Sequence, residues 1–103
     1  MITLEQARKA RPQSNWHATS TEHFLIEHVP HARRWVLWHT TQQGKRVDGF
    51  GRKRDALAVA SAMAEHATTM FAVEAMPDLG DPARRALITI INDAYLEATR
   101  GVR

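Results

Sequence analysis

The sequence predicts a small α+β domain: a three-stranded antiparallel sheet packed against one long helix, with a short N-terminal helix and a C-terminal amphipathic helix. Three observations lead there. Three β-rich segments follow one another with connections too brief for a crossover, which implies an antiparallel meander. An alanine-rich stretch after them carries apolar residues at helical spacing. The turn-rich "PDLGDP" at 77–82 then ends in an Asp-Pro pair, a helix start signal.

Taken in order, Thr3 and Gln6 match a capping box, so residues 4–10 are expected to be helical and to stop before Pro12. Residues 13–22, "QSNWHATSTE", read as a loop or an irregular edge strand around Trp16. The strands are "EHFLIEHV" (22–29), ended by Pro30, "RRWVLWHTT" (33–41) and "KRVDGFG" (45–51). "PHA" joins the first two and "QQG" the second two, with Gly44 free to take a positive φ. Alternation places Trp35, Leu37 and His39 on one face of the middle strand and Val36 and Trp38 on the other. One of these tryptophans is expected in the sheet–helix core. The other should be covered by the last helix or left as a recognition platform.

Asp55 is expected as the N-cap or a first-turn acid of the long helix, whose stripe runs through Leu57, Ala60, Ala64 and Ala67 with Val59 and Met63 beside it. The helix should continue through "TTMFAV" (68–73) to Ala75, although periodicity alone also permits a short strand there. Asp81 is expected as the N-cap of the last helix, which should run to about Thr99 and stop at Gly101. Its wide apolar face includes Leu87, Ile88, Ile91 and Tyr95, enough to contact a partner or a second copy as well as the first helix.

At 103 residues the chain suits a single domain, in which 22–66 form a βββα unit and 81–100 the terminal helix. With no cysteine, neither disulfides nor thiolate metal sites are available, which suits a reducing cytoplasm. No secretory signal follows the N-terminal basic residues. No run reaches the roughly 18 apolar residues expected of a membrane span.

Charge is unevenly spread. Arg33, Arg34, Lys45, Arg46, Arg52, Lys53 and Arg54 stand against one acid, Asp48, between positions 33 and 54, while the rest of the chain is net acidic by three. Such a local excess is an electrostatic footprint for phosphate or for an acidic protein surface. A β-ribbon fits the DNA major groove, and basic side chains on it reach phosphates and guanine edges. These seven residues are therefore the candidate nucleic-acid contacts, provided that they converge in space.

Trp35, "GKRV" at 44–47, "GF" at 49–50 and "KRDALAVA" at 53–60 together resemble the plant AP2-type domain and the arm-site-binding domain of phage integrases. The resemblance covers about residues 22–66. It implies a three-stranded sheet with a helix behind it, and double-stranded DNA contacted by the sheet instead of the helix. The chain's small size and mixed character suggest a phage or mobile-element source. The last helix has no counterpart in those families.

Five histidines, His17, His23, His28, His31 and His39, fall in the first 39 residues, but no His-x-His or helical HExxH pattern appears. His23 and His28, five apart on a strand, are expected on opposite faces. No cofactor or metal is implied. Nor do Ser14, Ser20, Ser61 or the Gly49–Gly51 pair sit in a catalytic or dinucleotide motif, so an enzyme is not expected. The leading expectation is a double-stranded DNA-binding protein. The alternative is a protein–protein interaction module docking by its last helix or exposed sheet face.

Overall fold

A computed structural model describes residues 1–21, 23–41 and 44–102. The elements follow in the order α1 (Leu4–Ala10), β1 (Asn15–Ala18), β2 (Phe24–Val29), β3 (Arg34–His39), β4 (Lys45–Phe50), α2 (Lys53–Glu74) and α3 (Asp81–Ala98). The α+β class is as expected, but the sheet has four strands, not three. All are antiparallel, in the spatial order β1-β2-β3-β4. The additional strand is the Trp16 segment. Only four residues long and polar apart from Trp16 and Ala18, it carries too little alternation to declare itself in sequence.

Glu22, Gln42 and Gln43, expected to open β2 and to join β3 to β4, lie outside the described residues. Arg33, expected in a strand, belongs instead to the β2–β3 turn. Its φ is +50°, and its N–H donates to the Pro30 carbonyl at 3.3 Å. Gly44 has a φ of +66°, and a Cβ there would collide with Ile2. Conformation and space both demand glycine at that turn.

One face of the sheet holds the main core. Phe24, Ile26, Leu37 and Phe50 pack against Ala56, Val59 and Ala60 of α2, with Trp35, Val47, Met63 and Val102 at the margin. The alanines of α2 let its backbone approach the sheet closely. The opposite face is covered over β1, β2 and one end of β3 by the N-terminal segment. There Ile2, Leu4 and Ala7 meet Trp16, Leu25 and Trp38. The predicted capping box of α1 is present, with Thr3 and Gln6 bonded to each other's backbone N–H at 2.9 and 3.1 Å.

Residues 68–73 continue α2 as helix. Thr68 and Thr69 donate their hydroxyls to the carbonyls of Ala64 and Glu65, which accommodates polar β-branched residues in mid-helix. At 22 residues α2 outruns the six-residue strands and packs along α3. Contrary to the sequence expectation, this helix is long and apolar enough, by length and composition, to cross a membrane. Here its buried residues instead face the sheet and α3. Gly80, not Asp81, is the N-cap of α3; Asp81 is its first-turn acid. Arg84 closes the helical hairpin by donating to the carbonyls of Val73, near the end of α2, at 3.0 Å and of Met76, just beyond it, at 3.4 Å.

Candidate functional site

The seven cations of the 33–54 segment do not share one surface. Trp35, Leu37 and His39 of β3 face α2, so Arg34, Val36 and Trp38 face away from it. On β4 strict alternation would put Arg46 on the same side as Phe50, toward α2. A bulge prevents this. Asp48 pairs with Leu37 and Arg46 with Trp38, leaving Val47 as the extra residue, so the strand changes face in one step. Arg46 is thereby carried to the face that holds Arg34 and Gly49. Both guanidinium groups close over Gly49. A Cβ at that glycine would lie 2.8 Å from Arg34 Nη2, 2.9 Å from Arg34 Nε and 3.2 Å from Arg46 Nη2.

The remaining candidates point elsewhere. Lys45 pairs with His39 on the α2 side of the sheet. Arg33 stands exposed in the β2–β3 turn, Arg52 at the N-cap of α2 and Arg54 exposed in its first turn. Lys53 turns back over the sheet, its Nζ 5.8 Å from the centre of the Trp35 ring. Two of the seven are brought together, and the expected single convergence is corrected to that pair. The reason is the alternation of strands, which separates neighbouring cations, combined with a bulge that reunites two distant ones.

Beside the pair, on the same face, sits a charge the sequence did not flag. Glu27 of β2 is only 1% exposed, yet both its oxygens are engaged. Ser14 donates to Oε2 at 2.7 Å and Trp38 Nε1 to Oε1 at 3.1 Å, while Arg11 Nη1 lies 3.4 Å from each. Trp38 is held by Trp16, 6.3 Å away between ring centres, and by Arg11 over its ring. It is thus covered by α1 and β1, neither by the last helix nor left as a platform. The tryptophans do occupy opposite faces. Among the described residues the ion pairs are Lys9–Glu5, Arg11–Glu27 and Arg100–Glu97; neither Arg34 nor Arg46 is in one.

Apart from His31, exposed in the β2–β3 turn, the histidines gather at the two ends of the α2 side. His23 precedes β2 and stacks on His39, with ring centres 6.2 Å apart. It therefore lies on the same side of the sheet as His28, not opposite, because the strand begins only at Phe24. Burial, then the positive neighbours His23 and Lys45, lowers the pKa of His39. His66 bonds Asn92 at 2.8 Å and meets the edge of Tyr95 across an open cleft of about 890 Å³, which His23 and His39 also line. Among the described residues no group of three His, Cys, Asp or Glu is placed to hold a metal ion.

Of the residues proposed as a partner interface, Ile91 is buried, and Leu87, Ile88 and Tyr95 are half-buried. They are spent largely on the protein's own packing. The most open large apolar side chains of the helical hairpin, among the described residues, are instead Phe71, Ile90 and Leu96, at 73%, 62% and 64% exposure, with Met76 of the connection less so. No family model, curated protein or solved structure matches this chain.

Proposed function

We propose that the protein binds double-stranded DNA through the β3–β4 ribbon, with Arg34 and Arg46 as its central contacts. The observation that carries this reading is the convergence of two guanidinium groups over Gly49, on the part of the sheet face that α1 leaves open, with neither in an ion pair among the described residues. Two forked donors side by side suit phosphate oxygens or a guanine edge. Glycine beneath them leaves the space in which both guanidinium groups lie against the strand. A two-stranded ribbon is also narrow enough for the major groove.

Arg33 adds support. A non-glycine residue in the left-handed region costs about 1 kcal/mol or more, and here the position carries a cation where glycine would be unstrained. Arg33, in the β2–β3 turn, and Arg52, just beyond the end of β4, flank the central pair at one end of the ribbon and serve as phosphate contacts, whereas Lys45 lies on the α2 side and does not. The AP2-like mode is narrowed by α1, which occupies the β1–β2 half of the face. Docking then falls to β3–β4 alone.

A mobility-shift titration with mixed-sequence duplex at two salt concentrations tests the reading. With about five phosphates engaged, log affinity should fall against log salt with a slope near −4. Arg34→Ala with Arg46→Ala should weaken binding at least tenfold and make the slope shallower by about 2. Absence of wild-type binding at low salt, or indifference to the double substitution, removes the proposal. A second reading, a protein partner docking on the helical hairpin, is favoured by the exposure of Phe71, Ile90 and Leu96. It predicts binding that depends little on salt and is lost with Phe71→Ser.

A further inference from the structure

We propose that Arg8, His17, His28 and Lys53, gathered around the indole of Trp35, form a binding site for a phosphate group that strengthens on acidification. The site does not rest on the duplex reading, because His17, His28 and Trp35 stand on the α2 side of the sheet, whereas Arg34 and Arg46 stand on the other.

Strand register builds the cluster. His28 pairs with Trp35 across β2–β3 and its ring stacks on the indole, with centres 4.1 Å apart and planes 17° from parallel. His17, on β1, brings a second imidazole to 5.7 Å from the same ring. Lys53, the first residue of α2, extends its ammonium to 5.8 Å from the ring centre. Along β1 runs an open groove of about 700 Å³ lined by Arg8, Asn15, His17, His28 and Trp35 among others. Three elements thus bring one permanent cation and two imidazoles to one aromatic centre, and Arg8 of α1 lines the groove beside it. None of the four is in an ion pair among the described residues.

Electrostatics favours an anion here over ordinary solvation. The pKa of His17 is lowered first by burial and then by Lys53, His28 and Arg8, so the neighbours it feels are all positive. Acids on the elements around the cluster include Glu27, which belongs to the opposite face and is engaged by Arg11, Ser14 and Trp38, Asp48 of β4, whose carboxylate accepts from the Gly49 N–H, and Asp55 in the first turn of α2. A tetrahedral oxyanion between these groups would relieve their mutual repulsion and raise the proton affinity of His17. By linkage, binding takes up protons and tightens as pH falls. Phosphate is the class the donors suit: an ammonium, a guanidinium and two imidazoles offer several N–H donors and more than one positive charge, which match a tetrahedral oxyanion of charge about −2.

The test is an NMR titration of the full chain, following the His17 and His28 imidazoles and the Trp35 indole at pH 6 and pH 8. The probes are inorganic phosphate, sulfate (whose charge is constant over that range) and an oligothymidylate without a terminal phosphate. Saturable shifts with sulfate, roughly tenfold tighter at pH 6 than at pH 8, are expected. They should be lost in Lys53→Ala and lose their pH dependence in His17→Gln with His28→Gln. Saturation by free phosphate or sulfate identifies a free anion as the ligand source. Saturation only by the oligonucleotide identifies a nucleic-acid backbone. Arg34→Ala with Arg46→Ala should leave the titration unchanged, which separates this site's failure from that of the duplex reading. No saturable shift with any probe at pH 6, or shifts that persist in both variants, would overturn the proposal.

Discussion

On the face of the sheet turned away from α2, the corner around Glu27 and the strip over Gly49 handle arginine in opposite ways. At the corner, α1 and β1 bury a carboxylate and give it Arg11, a hydroxyl and an indole N–H. Charge there is neutralised, and it fixes how α1 sits on Trp16 and Trp38. Over Gly49 two guanidinium groups lie side by side, neither in an ion pair among the described residues, on the half of the face that α1 does not pack against. The Asp48 carboxylate accepts from the Gly49 N–H at 2.8 Å. Like charges held close on a surface oppose folding slightly, and the strained Arg33 adds to the cost. The contrast teaches that one face can serve both ends: its closed half stabilises, and its open half keeps positive charge available for a ligand.

The largest expected effect breaks the closed half. Glu27→Ala leaves the Trp38 and Ser14 donors without their acceptor and Arg11 unpaired, and should cost about 2–3 kcal/mol in urea unfolding. Duplex affinity per folded molecule should hardly change. A comparable loss of affinity would show that the two halves act as one unit.

Gly49→Ala acts on the open half alone. Its Cβ would push the Arg34 and Arg46 tips aside while gaining strand propensity, so stability should stay within about 0.5–1 kcal/mol of wild type. Duplex binding should weaken roughly threefold to tenfold. Unchanged affinity would mean that charge alone, without the paired geometry, drives binding.

Arg33→Gly relieves the positive φ and should raise stability by up to about 1 kcal/mol. It should also reduce duplex affinity modestly through the lost cation. Loss of stability would contradict the strain assigned to that turn.

The smallest effect is a pH slope from the other side of the sheet. The pKa values of His17 and His39 are lowered, mainly by burial, so the folded protein binds fewer protons than the unfolded chain once pH drops below about 6.5. Their contribution to stability is intact above that pH. It declines as pH falls from there toward the lowered values. The thermal midpoint should therefore drop between pH 7 and pH 5, and His39→Gln should flatten the slope. Added sulfate should flatten it too, if the anion site near His17 fills.

Much of this fold was legible before any coordinates. Thr3 and Gln6 marked α1, the Asp81-Pro82 pair marked α3, and short connections marked the meander. The opposite orientations of Trp35 and Trp38 followed from alternation. The first strand was not legible, because four mostly polar residues become a strand only when β2 supplies their hydrogen-bond partners. Nor was the buried Glu27, since a lone acid in an apolar segment gives no sign of the three donors that await it. The candidate site was half legible. Its cations were conspicuous, but their grouping was not.

The chain by itself determined where the helices begin, which segments pair and how much positive charge sits between positions 33 and 54, because capping, periodicity and composition act over a few residues. Only the tertiary structure decided which cations meet. A one-residue bulge at Val47 arises in the pairing of β4 with β3, and it is this that turns Arg46 from the α2 side to the side of Arg34. Side-chain direction in a strand depends on register, and register is a property of two strands, not of one.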